Sequence, residues 1–379
     1  MTILLTGGGT GGHVNPALAI AATFREKHPD AKIYFAASAL PNDKAADLVP
    51  HANYELYKIN IRGLRRPVFH PVNLRLPFVM LRSRREARQI IEKVRPDLIV
   101  GTGGFACWPL VSQGIAMGIP TAVHESNALP GKAIQKVKGR AGRILINFPE
   151  TARRLGLAEG DGRTVRVGNP HMPEFTTVDR REARAKLGLT DRDTYILSFG
   201  GSLGAEDVNK AVIALCEDVV VKDTHVRIFH ATGRRDEENS MANLAQSRAA
   251  ACDRVTFTGY IYDMPEQMAA ADLVISRAGA MSISELALMG KAAILVPSPY
   301  VAEQHQLKNA MALVQKDAGV CVQEHTLASG ELTRAVQNLL HDPDHRAAMQ
   351  QNIYTHFACP HANEAIYHEL MALMKEGKN

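Results

Sequence analysis

The stretch Ser276-Arg-Ala-Gly-Ala-Met-Ser-Ile-Ser-Glu285 follows an apolar run, Asp272-Leu-Val-Ile275, and leads into Leu286-Ala-Leu-Met289. The apolar run Asp272 to Ile275 predicts a buried strand, and Leu286 to Met289 predicts a helix. The small residues between them therefore lie where a strand passes into a helix. Parallel sheets bind ligands at this end of their strands, and the free N–H groups and dipole of a helix start favour phosphate. Arg277 would add positive charge, and Glu285 could accept both hydroxyls of a ribose. The stretch therefore predicts a nucleotide site, although the same residues could serve only close packing of helix on sheet.

Length and composition limit the class of protein. The chain has 379 residues, a hydrophobic fraction of 46%, a charged fraction of 22% and a formal net charge of +5. It is too long for one ordinary core, so we expect two domains. We expect no signal segment, because Gly7-Gly8-Gly9 interrupts the only candidate run. We expect no membrane span, because no apolar run approaches the roughly 18 residues that a span needs. Five cysteines without a CxxC pair predict neither a disulfide framework nor a zinc site.

A glycine-rich loop follows the first predicted strand. Thr2-Ile-Leu-Leu5 precedes Thr6-Gly-Gly-Gly-Thr-Gly-Gly-His13, and a helical run extends from Pro16 to Lys27. The loop contains a GxGxxG pattern, but the next strand ends in Ala37-Ser38 and lacks the acidic residue that NAD enzymes use for ribose. We therefore expect the loop to hold a pyrophosphate that is not part of a dinucleotide. His13 could act as a general base, or it could only cap the helix or pack on the next strand.

Two further strand ends of the first half carry polar or glycine-rich residues. Pro96-Asp-Leu-Ile-Val100 ends in Gly101-Thr-Gly-Gly-Phe105, and two glycine loops side by side could grip one diphosphate. The strand beginning at Pro120 ends in polar residues up to Asn127, where catalytic groups commonly lie.

The pattern then begins again after Val165-Arg-Val-Gly-Asn-Pro170, which we interpret as a hinge. Thr194-Tyr-Ile-Leu-Ser-Phe199 is followed by Gly200-Gly-Ser-Leu-Gly-Ala205 and a helix, as at the start of the chain. Repeated strand–loop–helix units predict an α/β fold of two doubly wound Rossmann-like domains facing a cleft, with the ligand in that cleft. Gly259 to Met264 could read a base edge through its backbone, and Glu303 to Gln306 is rich in groups that bind hydroxyls.

Basic residues are concentrated between Arg62 and Arg95, where ten Lys or Arg residues accompany only Glu86 and Glu92. Apolar residues are interleaved with them from Leu74 to Leu81. This pattern favours contact with an anionic lipid surface. A core helix with a solvated basic face is the alternative, and sparse aromatic residues give little support to a nucleic-acid partner.

Six ordered motifs together resemble the MurG family, the membrane-associated glycosyltransferases of peptidoglycan synthesis. The resemblance extends from Leu4 to about Ala310. Its landmarks are Gly8-Gly-Thr-Gly-Gly-His13, Gly103-Gly-Phe105, His124-Glu-Ser-Asn127, Val167-Gly-Asn-Pro170, Gly200-Gly-Ser-Leu-Gly-Ala205 and Ser276 to Glu285.

The resemblance implies an inverting transferase with the GT-B fold. It would move GlcNAc from UDP-GlcNAc to the 4-hydroxyl of MurNAc in undecaprenyl-pyrophosphoryl-MurNAc-pentapeptide (lipid I), as a peripheral protein on the cytoplasmic face of the cell membrane. Residues 1–168 would face the acceptor and the membrane, with a C-terminal helix from about 355 to 379 packing back on them, and residues 169–354 would bind UDP-GlcNAc. No DxD-like acidic pair lies beside the phosphate site, so we expect neither a metal nor a cofactor.

Site residues follow from the same resemblance and from the patterns above. His13 is the first candidate for the single base that inversion requires, with His124 and Glu125 as rivals. The expected donor site comprises Thr10, Gly11, Gly12, Asn127, Ser202, Ile261, Arg277, Ala280, Met281, Ser282, Ile283, Ser284, Glu285, His305 and Gln306. The acceptor diphosphate would lie on Gly9, Gly103 and Gly104. The membrane would contact Arg75, Leu76, Phe78, Arg82 and Arg85.

Some positions depart from the family pattern. His171 and Met172 stand where a residue and then a donor-contacting arginine are usual, Trp108 follows the second glycine loop, and Ser126 replaces a usual glutamine. These departures leave open a related GT-B transferase with another UDP-sugar or acceptor. A UDP-GlcNAc 2-epimerase shares the architecture, but the basic apolar segment argues against it. A non-catalytic UDP-sugar-binding relative is a further alternative that His13 and Glu285 disfavour.

Overall fold

The computed structural model describes residues 1–63, 71–157, 161–201 and 204–377. They form two compact units. The first unit comprises residues 1–171 together with the segment that begins at His361, and the second comprises Met172–Pro360. The boundaries predicted from the sequence are residue 168 and about residue 354.

The first unit is built on one parallel sheet. Its strands are β1 (Thr2–Gly7), β2 (Lys32–Ser38), β3 (Glu55–Ile59), β4 (Leu98–Gly103), β5 (Thr121–Glu125), β6 (Arg143–Ile146) and β7 (Thr164–Arg166). They lie in the order β3-β2-β1-β4-β5-β6-β7. Helices cover both faces, so successive residues of β1 alternate between two cores: Ile3 and Leu5 lie in one, and Leu4 lies in the other.

Within the described ranges of the first unit, six α-helices connect these strands. They are α1 (Gly11–Lys27), α2 (Ala45–His51), α3 (Leu76–Val94), α4 (Cys107–Ala116), α5 (Lys132–Val137) and α6 (Glu150–Leu155), and a 3₁₀ turn (Pro71–Arg75) precedes α3.

The second unit repeats the plan with six parallel strands. These are β8 (Thr194–Phe199), β9 (Val226–Ala231), β10 (Val255–Thr258), β11 (Leu273–Ser276), β12 (Ala292–Leu295) and β13 (Val320–Cys321). Their order is β10-β9-β8-β11-β12-β13. The two parallel sheets flanked by helices confirm the predicted α/β, doubly wound fold.

The described residues of the second unit form nine α-helices. They are α7 (Glu174–Thr177), α8 (Arg180–Lys186), α9 (Glu206–Leu215), α10 (Glu237–Ala245), α11 (Met264–Ala270), α12 (Ala280–Leu288), α13 (His305–Val314), α14 (Glu331–His341) and α15 (Pro343–Phe357). A π-helical turn (Cys216–Val220) continues α9, and 3₁₀ turns occupy Ala302–Gln304 and Glu324–Ser329.

The last helix, α16 (Ala362–Glu376), belongs to the first unit. The ring of Tyr367 lies 5.2 Å from that of Phe24 on α1. Asn363 holds the backbone of His171, because its Oδ1 accepts from the His171 N–H at 3.0 Å and its Nδ2 donates to the His171 carbonyl at 2.9 Å. The side chain at the start of α16 thus fixes the residue at which the chain leaves the first unit.

Both sheets have a point where the strand order reverses, and these points locate candidate sites. The reversal lies between β1 and β4 in the first sheet and between β8 and β11 in the second. Loops at the carboxyl ends of such strand pairs form a crevice that binds ligands. The glycine-rich loops after β1, β4 and β8 and the stretch after β11 all lie at these two points.

Candidate active site

The two glycine loops of the first unit pack backbone against backbone. Gly104 has a φ of +83°, and a Cβ there would lie 2.3 Å from the carbonyl oxygen of Gly8. Gly103 has a φ of +112°, and its Cβ would lie 2.5 Å from Nδ1 of His13. A side chain at either position would force the loops apart, so only glycine permits this approach.

His13 lies in the first turn of α1 and is half-buried. Its Nδ1 is 3.1 Å from the carbonyl oxygen of Thr102, and the hydroxyl of Thr102 donates to the His13 carbonyl at 2.6 Å. Since a carbonyl only accepts, the bond at Nδ1 assigns the proton to that nitrogen. Nε2 then carries the lone pair that a general base needs.

The buried carboxylate of Asp43 braces the first glycine loop. It accepts from the N–H of Gly9 at 2.7 Å, from the N–H of Ala45 at 3.0 Å and from the hydroxyl of Ser38 at 2.5 Å. A Cβ at Gly8 would lie 2.6 Å from the same carboxylate. The loop therefore has a fixed conformation, and it presents Thr10 and Gly12 as exposed residues beside the half-buried Gly9 and Gly11.

His124 and Glu125, the two rivals of His13, are buried in the first unit. His124 is 0% exposed and its Nε2 donates to the carbonyl of Gly168 at 2.9 Å, while burial lowers its pKa to about 4. Glu125 is 2% exposed, and burial raises its pKa. Both residues are enclosed by protein, so neither side chain faces a space in which substrate could bind.

The carboxylate of Glu125 also holds the loop after β5 in place through hydrogen bonds. One carboxylate oxygen accepts from the backbone and side-chain nitrogens of Asn127 at 2.9 and 3.2 Å, and the other accepts from the N–H of Gly131 at 2.7 Å. These bonds shape the loop after β5 and fix the half-buried Asn127.

In the second unit, the N-terminus of α12 points to the strand reversal. Gly279 precedes the helix with extended backbone and, as a glycine, offers no side chain to cap it. Glu285 follows at the second turn and is half-buried. Within the described ranges its carboxylate has no hydrogen-bond or ion-pair partner, and burial raises its pKa to about 8. A partly buried carboxyl group of this kind is able to form hydrogen bonds with a ligand.

The other residues of this stretch divide between surface and core. Met281 and Ser282 are partly exposed, whereas Ile283 is 1% exposed and Ser284 is 7% exposed. Ser284 donates its hydroxyl to the carbonyl of Ala280 at 3.1 Å. The side chains of Ile283 and Ser284 therefore pack the helix onto the sheet.

Arg277 does not supply the free positive charge that the sequence suggested. Its guanidinium forms an ion pair with Glu324 and donates to the carbonyl of Val296 at 3.1 Å. Both side chains of the pair are mostly buried, at 13% and 8% exposure. Glu324 neutralises the charge of Arg277. Through these two contacts, Arg277 links the ends of β11 and β12 to the 3₁₀ turn after β13.

The remaining donor candidates lie on neighbouring loops of the second unit. Ile261 follows β10 with a buried side chain, and among described residues its backbone N–H and C=O have no hydrogen-bond partner. Gly200 and Gly201 follow β8, and Ser202 lies outside the described residues. Gln306 accepts from the N–H of Ser298 at 2.8 Å through Oε1, so its amide shapes that loop beside the half-buried His305.

The basic segment from Arg62 to Arg95 includes residues 64–70, which lie outside the described residues, and its apolar part from Leu74 to Leu81 lies in the turn before α3 and the first part of that helix. Leu74, Phe78 and Leu81 are 80%, 76% and 52% exposed, and Leu76 is half-buried. The buried side of the helix is formed by Ser83, Ala87, Ile90 and Ile91. Its basic residues Arg75, Arg82 and Arg85 are exposed, and Arg82 pairs with Glu86 at 2.8 Å.

Comparison with known proteins supplies the family. A model described as the glycosyltransferase family 28 N-terminal domain matches residues 3–146, and the corresponding C-terminal domain model matches residues 195–364. A UDP-N-acetylglucosamine–N-acetylmuramyl-(pentapeptide) pyrophosphoryl-undecaprenol N-acetylglucosamine transferase of Acetivibrio thermocellus is 35% identical over 99% of both chains. The crystal structure of Acinetobacter baumannii MurG is 26% identical, covers 98% of this chain and 99% of its own, and gives a TM-score of 0.78.

The chain belongs to the MurG family. The fold alone would not have decided this, because a UDP-GlcNAc 2-epimerase from Neisseria meningitidis bound to UDP-GlcNAc matches with a TM-score of 0.64 at 12% identity over 98% of this chain and 100% of its own.

The departures from the MurG pattern have defined places in the structure. Trp108 is the second residue of α4, packs against the core of the first unit and has the ammonium group of Lys136 4.9 Å from its ring centre. His171 is buried, whereas Met172 is 54% exposed. Trp108 therefore packs against α5 and the core of the first unit. Met172 places an exposed apolar side chain at the position where the family usually has an arginine.

Sequence reasoning missed a buried polar network in this MurG family member. His230 is 0% exposed, lies 2.9 Å from the hydroxyl of Ser198 and donates to Oδ1 of Asn209 at 2.9 Å, while burial lowers its pKa to about 3. Asn209 in turn donates to the carbonyl of Thr232 at 3.0 Å. A Cβ on Gly204 would lie 2.3 Å from that carbonyl, so the network supports the glycine loop after β8.

Within the described ranges, no group of three or more His, Cys, Asp or Glu side chains lies close enough to hold a metal ion. None of the described helices is both long and apolar enough to pass through a bilayer.

Proposed function

We propose that this chain transfers GlcNAc from UDP-GlcNAc to the 4-hydroxyl of MurNAc in undecaprenyl-pyrophosphoryl-MurNAc-pentapeptide. Membership of the MurG family supports the reaction. The structural observation that carries the proposal is the carboxyl edge of the second sheet. Among the described residues, the backbone of Ile261 after β10 and the side chain of Glu285 on α12 have no hydrogen-bond partner, and α12 begins after Gly279 at the same edge. Together these groups match the base, diphosphate and ribose of a uridine nucleotide.

The donor site rests on hydrogen bonding at three places. The N–H and C=O of Ile261 would pair with the edge of uracil, and the carboxylate of Glu285 would accept the ribose hydroxyls. The first N–H groups of α12, with Met281 and Ser282 on their exposed side, would bind the diphosphate. His305 and Gln306 would bind hydroxyls of the sugar, and Ser202 would bind the donor phosphates.

The charge that develops on UDP as it leaves must be stabilised. Arg277 is neutralised by Glu324, so we assign this role to the N–H groups and dipole of α12, which act without reorganising. Arg277 instead holds the surrounding loops in place.

His13 is the base of the proposed mechanism. Inversion needs one in-line displacement at the anomeric carbon, with one group to take the proton of the acceptor hydroxyl. The Thr102 carbonyl, 3.1 Å from Nδ1, orients the ring so that Nε2 can accept this proton. His124, neutral and enclosed, and Glu125, engaged by three N–H bonds, are poor candidates for the same task.

The paired glycine loops of the first unit are the proposed acceptor site. Gly9, Gly103 and Gly104 would offer backbone N–H groups to the diphosphate of the lipid-linked acceptor, and Thr10, Gly11, Gly12 and Asn127 would lie near the transferred sugar. The close packing of Gly104 on Gly8 supports a single shared site, because it makes the two loops one continuous surface.

The membrane is the proposed partner of α3. Phe78 and Leu81 lie three residues apart on one face of α3, Leu74 lies in the 3₁₀ turn before it, and the exposure of all three leaves a sizeable apolar surface. Arg75, Arg82 and Arg85 flank that face and would contact anionic headgroups. We therefore propose a peripheral protein on the cytoplasmic face of the cell membrane, where UDP-sugars are available.

Product analysis with a sugar panel tests the function. Purified full-length protein would be incubated with UDP-GlcNAc, UDP-GalNAc or UDP-glucose, each with and without a short-chain lipid I analogue. We expect a disaccharide product only from UDP-GlcNAc with the acceptor. Faster turnover of another UDP-sugar or acceptor would favour a related transferase, and release of ManNAc from UDP-GlcNAc alone would favour an epimerase.

A further inference from the structure

An arginine and two tyrosines form an exposed cluster beside the proposed base site. The guanidinium of Arg234 lies 4.7 Å from the ring centre of Tyr260 and 5.9 Å from that of Tyr262. Its NH2 donates to the hydroxyl of Tyr262 at 3.2 Å, and the two rings meet edge to face at 4.9 Å. The rings are 38% and 81% exposed, so the cluster is a surface feature and contributes little to the core.

Arg234 carries a charge that the described part of the chain leaves without an ion-pair partner. Among the described residues, no carboxylate forms an ion pair with it. Its neighbour Arg235 pairs with Asp236 at 3.2 Å, and Arg277 pairs with Glu324. Aromatic faces hold a guanidinium without removing its charge or its N–H donors, so Arg234 is positioned and still able to bind.

The sheet order places Arg234 at the base end of a bound nucleotide. Arg234 follows β9, which lies between β10 and β8, and β11 is the next strand beyond β8. Neighbouring strands are about 4.8 Å apart, so about 14 Å separates the loop after β10 from the loop after β11. A nucleotide extended across this edge puts its base near Ile261 and its phosphates near Gly279. Arg234 then lies beside the base.

The backbone of Ile261 cannot by itself distinguish the two pyrimidines. One N–H and one C=O can pair with O4 and N3–H of uracil. Shifted by one atom, the same pair can bind N3 and the 4-amino group of cytosine. A second donor changes this balance, because uracil offers an acceptor at position 4 and cytosine offers a donor there.

We propose that Arg234, held by the rings of Tyr260 and Tyr262, donates to the 4-oxo group of the donor base and so makes the site select uracil over cytosine. A cationic donor forms a strong hydrogen bond with a carbonyl oxygen and repels an amino group. This inference rests on the proposed function, since it assigns the base specificity of the same donor site.

Calorimetric titration of the full-length protein with UDP and CDP tests the assignment. Arg234→Met keeps much of the side-chain length and removes the donors, and Arg235→Met is the matched control because Arg235 is a neighbouring exposed arginine already paired with Asp236. We expect Arg234→Met to weaken UDP about 10- to 100-fold, the usual effect of a lost charged hydrogen bond. CDP should change less than threefold, and Arg235→Met should leave both affinities unchanged.

Three results would count against Arg234. The first is a UDP affinity of Arg234→Met within twofold of wild type. The second is an equal loss of affinity for UDP and CDP, which would mean that the arginine binds the diphosphate. The third is an equal effect of Arg235→Met on UDP affinity. Failure of the proposed function is detected separately, because the wild-type protein would then give no acceptor-dependent disaccharide in the product analysis, whatever its affinity for UDP. Equal unfolding midpoints of the three proteins would exclude a folding defect.

Discussion

Replacement of Gly103 by alanine tests whether the second glycine loop positions His13. The new Cβ would lie 2.5 Å from Nδ1 of His13, whereas ordinary contacts begin at 3.4 Å, so the imidazole must move by about 0.9 Å. That shift would break the 3.1 Å contact between Nδ1 and the Thr102 carbonyl. A misplacement of about 1 Å in a catalytic group lowers the rate about 10²-fold, which corresponds to about 2.7 kcal/mol of transition-state stabilisation.

The control for this variant is Gly118→Ala. Gly118 has a φ of +72°, and a Cβ there would meet nothing within 4 Å. Both variants should lose roughly 1–2 kcal/mol of stability from the positive φ. Only Gly103→Ala should also lose turnover.

The assay combines acceptor-dependent release of UDP with guanidinium denaturation of each variant. We expect kcat to fall about 10²-fold in Gly103→Ala with an unchanged UDP affinity, because the groups proposed to bind the uridine diphosphate itself lie in the other unit. A kcat within threefold of wild type would refute the reasoning. An equal loss in Gly118→Ala would also refute it, since backbone strain alone would then account for the effect.

Three further predictions concern buried charge and the membrane face. Burial raises the pKa of Glu285 to about 8, so the folded protein holds a proton that the unfolded chain loses above about pH 4.5, and stability should fall as pH rises from about 4.5 to 8. Glu285→Gln should reduce that fall, and an identical pH profile of the unfolding midpoint would contradict it. Glu324→Gln leaves Arg277 buried without its partner and should lower the free energy of unfolding by about 3 kcal/mol, with most of the loss recovered in Arg277→Met/Glu324→Leu. A loss below about 1 kcal/mol would show that the pair is not buried in solution. Combined reversal to Glu of Arg75, Arg82 and Arg85 should weaken binding to anionic vesicles at least 100-fold, at about 1 kcal/mol for each lost positive charge. Reversal of the exposed Arg181, Arg192 and Lys316 of the second unit should have little effect, and equal losses would point to net charge alone.

The sequence predicted the architecture well because the relevant signals are local. Each apolar run followed by glycines, as at Leu5 and Phe199, encodes a buried strand and the close turn that leads to a helix. The short strands β3, β7 and β13 were missed because they are edge or near-edge strands with mixed polarity and few residues. The segment from Val165 to Pro170, which we interpreted as a hinge, overlaps the end of β7, because this strand is also short and of mixed polarity.

Residue types at the site were predictable, but their partners were not. Arg277 was interpreted as a free cation because Glu324, its ion-pair partner, lies 47 positions away in the chain. His124 belonged to a polar strand end that suggested catalysis, and only the fold places it at 0% exposure against Gly168. Burial and long-range pairing of this kind depend on the tertiary structure.

The role of Asp43 as a hydrogen-bond acceptor was partly predictable from the sequence. It follows Pro41-Asn42 in a turn-like stretch, where an aspartate commonly accepts nearby N–H groups. Its bond to Gly9, 34 residues earlier, could not be found in this way.

The central claim is that this protein transfers GlcNAc to a lipid-linked acceptor with His13 as the base. The most direct test is the rate of UDP release from UDP-GlcNAc in EDTA, with and without a short-chain lipid I analogue, for wild type and His13→Ala. We predict release only with the acceptor, a rate in the variant lower by roughly 10²–10⁴-fold, and an unchanged UDP affinity. No acceptor-dependent release by wild type would contradict the transferase, and near wild-type turnover of His13→Ala would remove His13 from the mechanism.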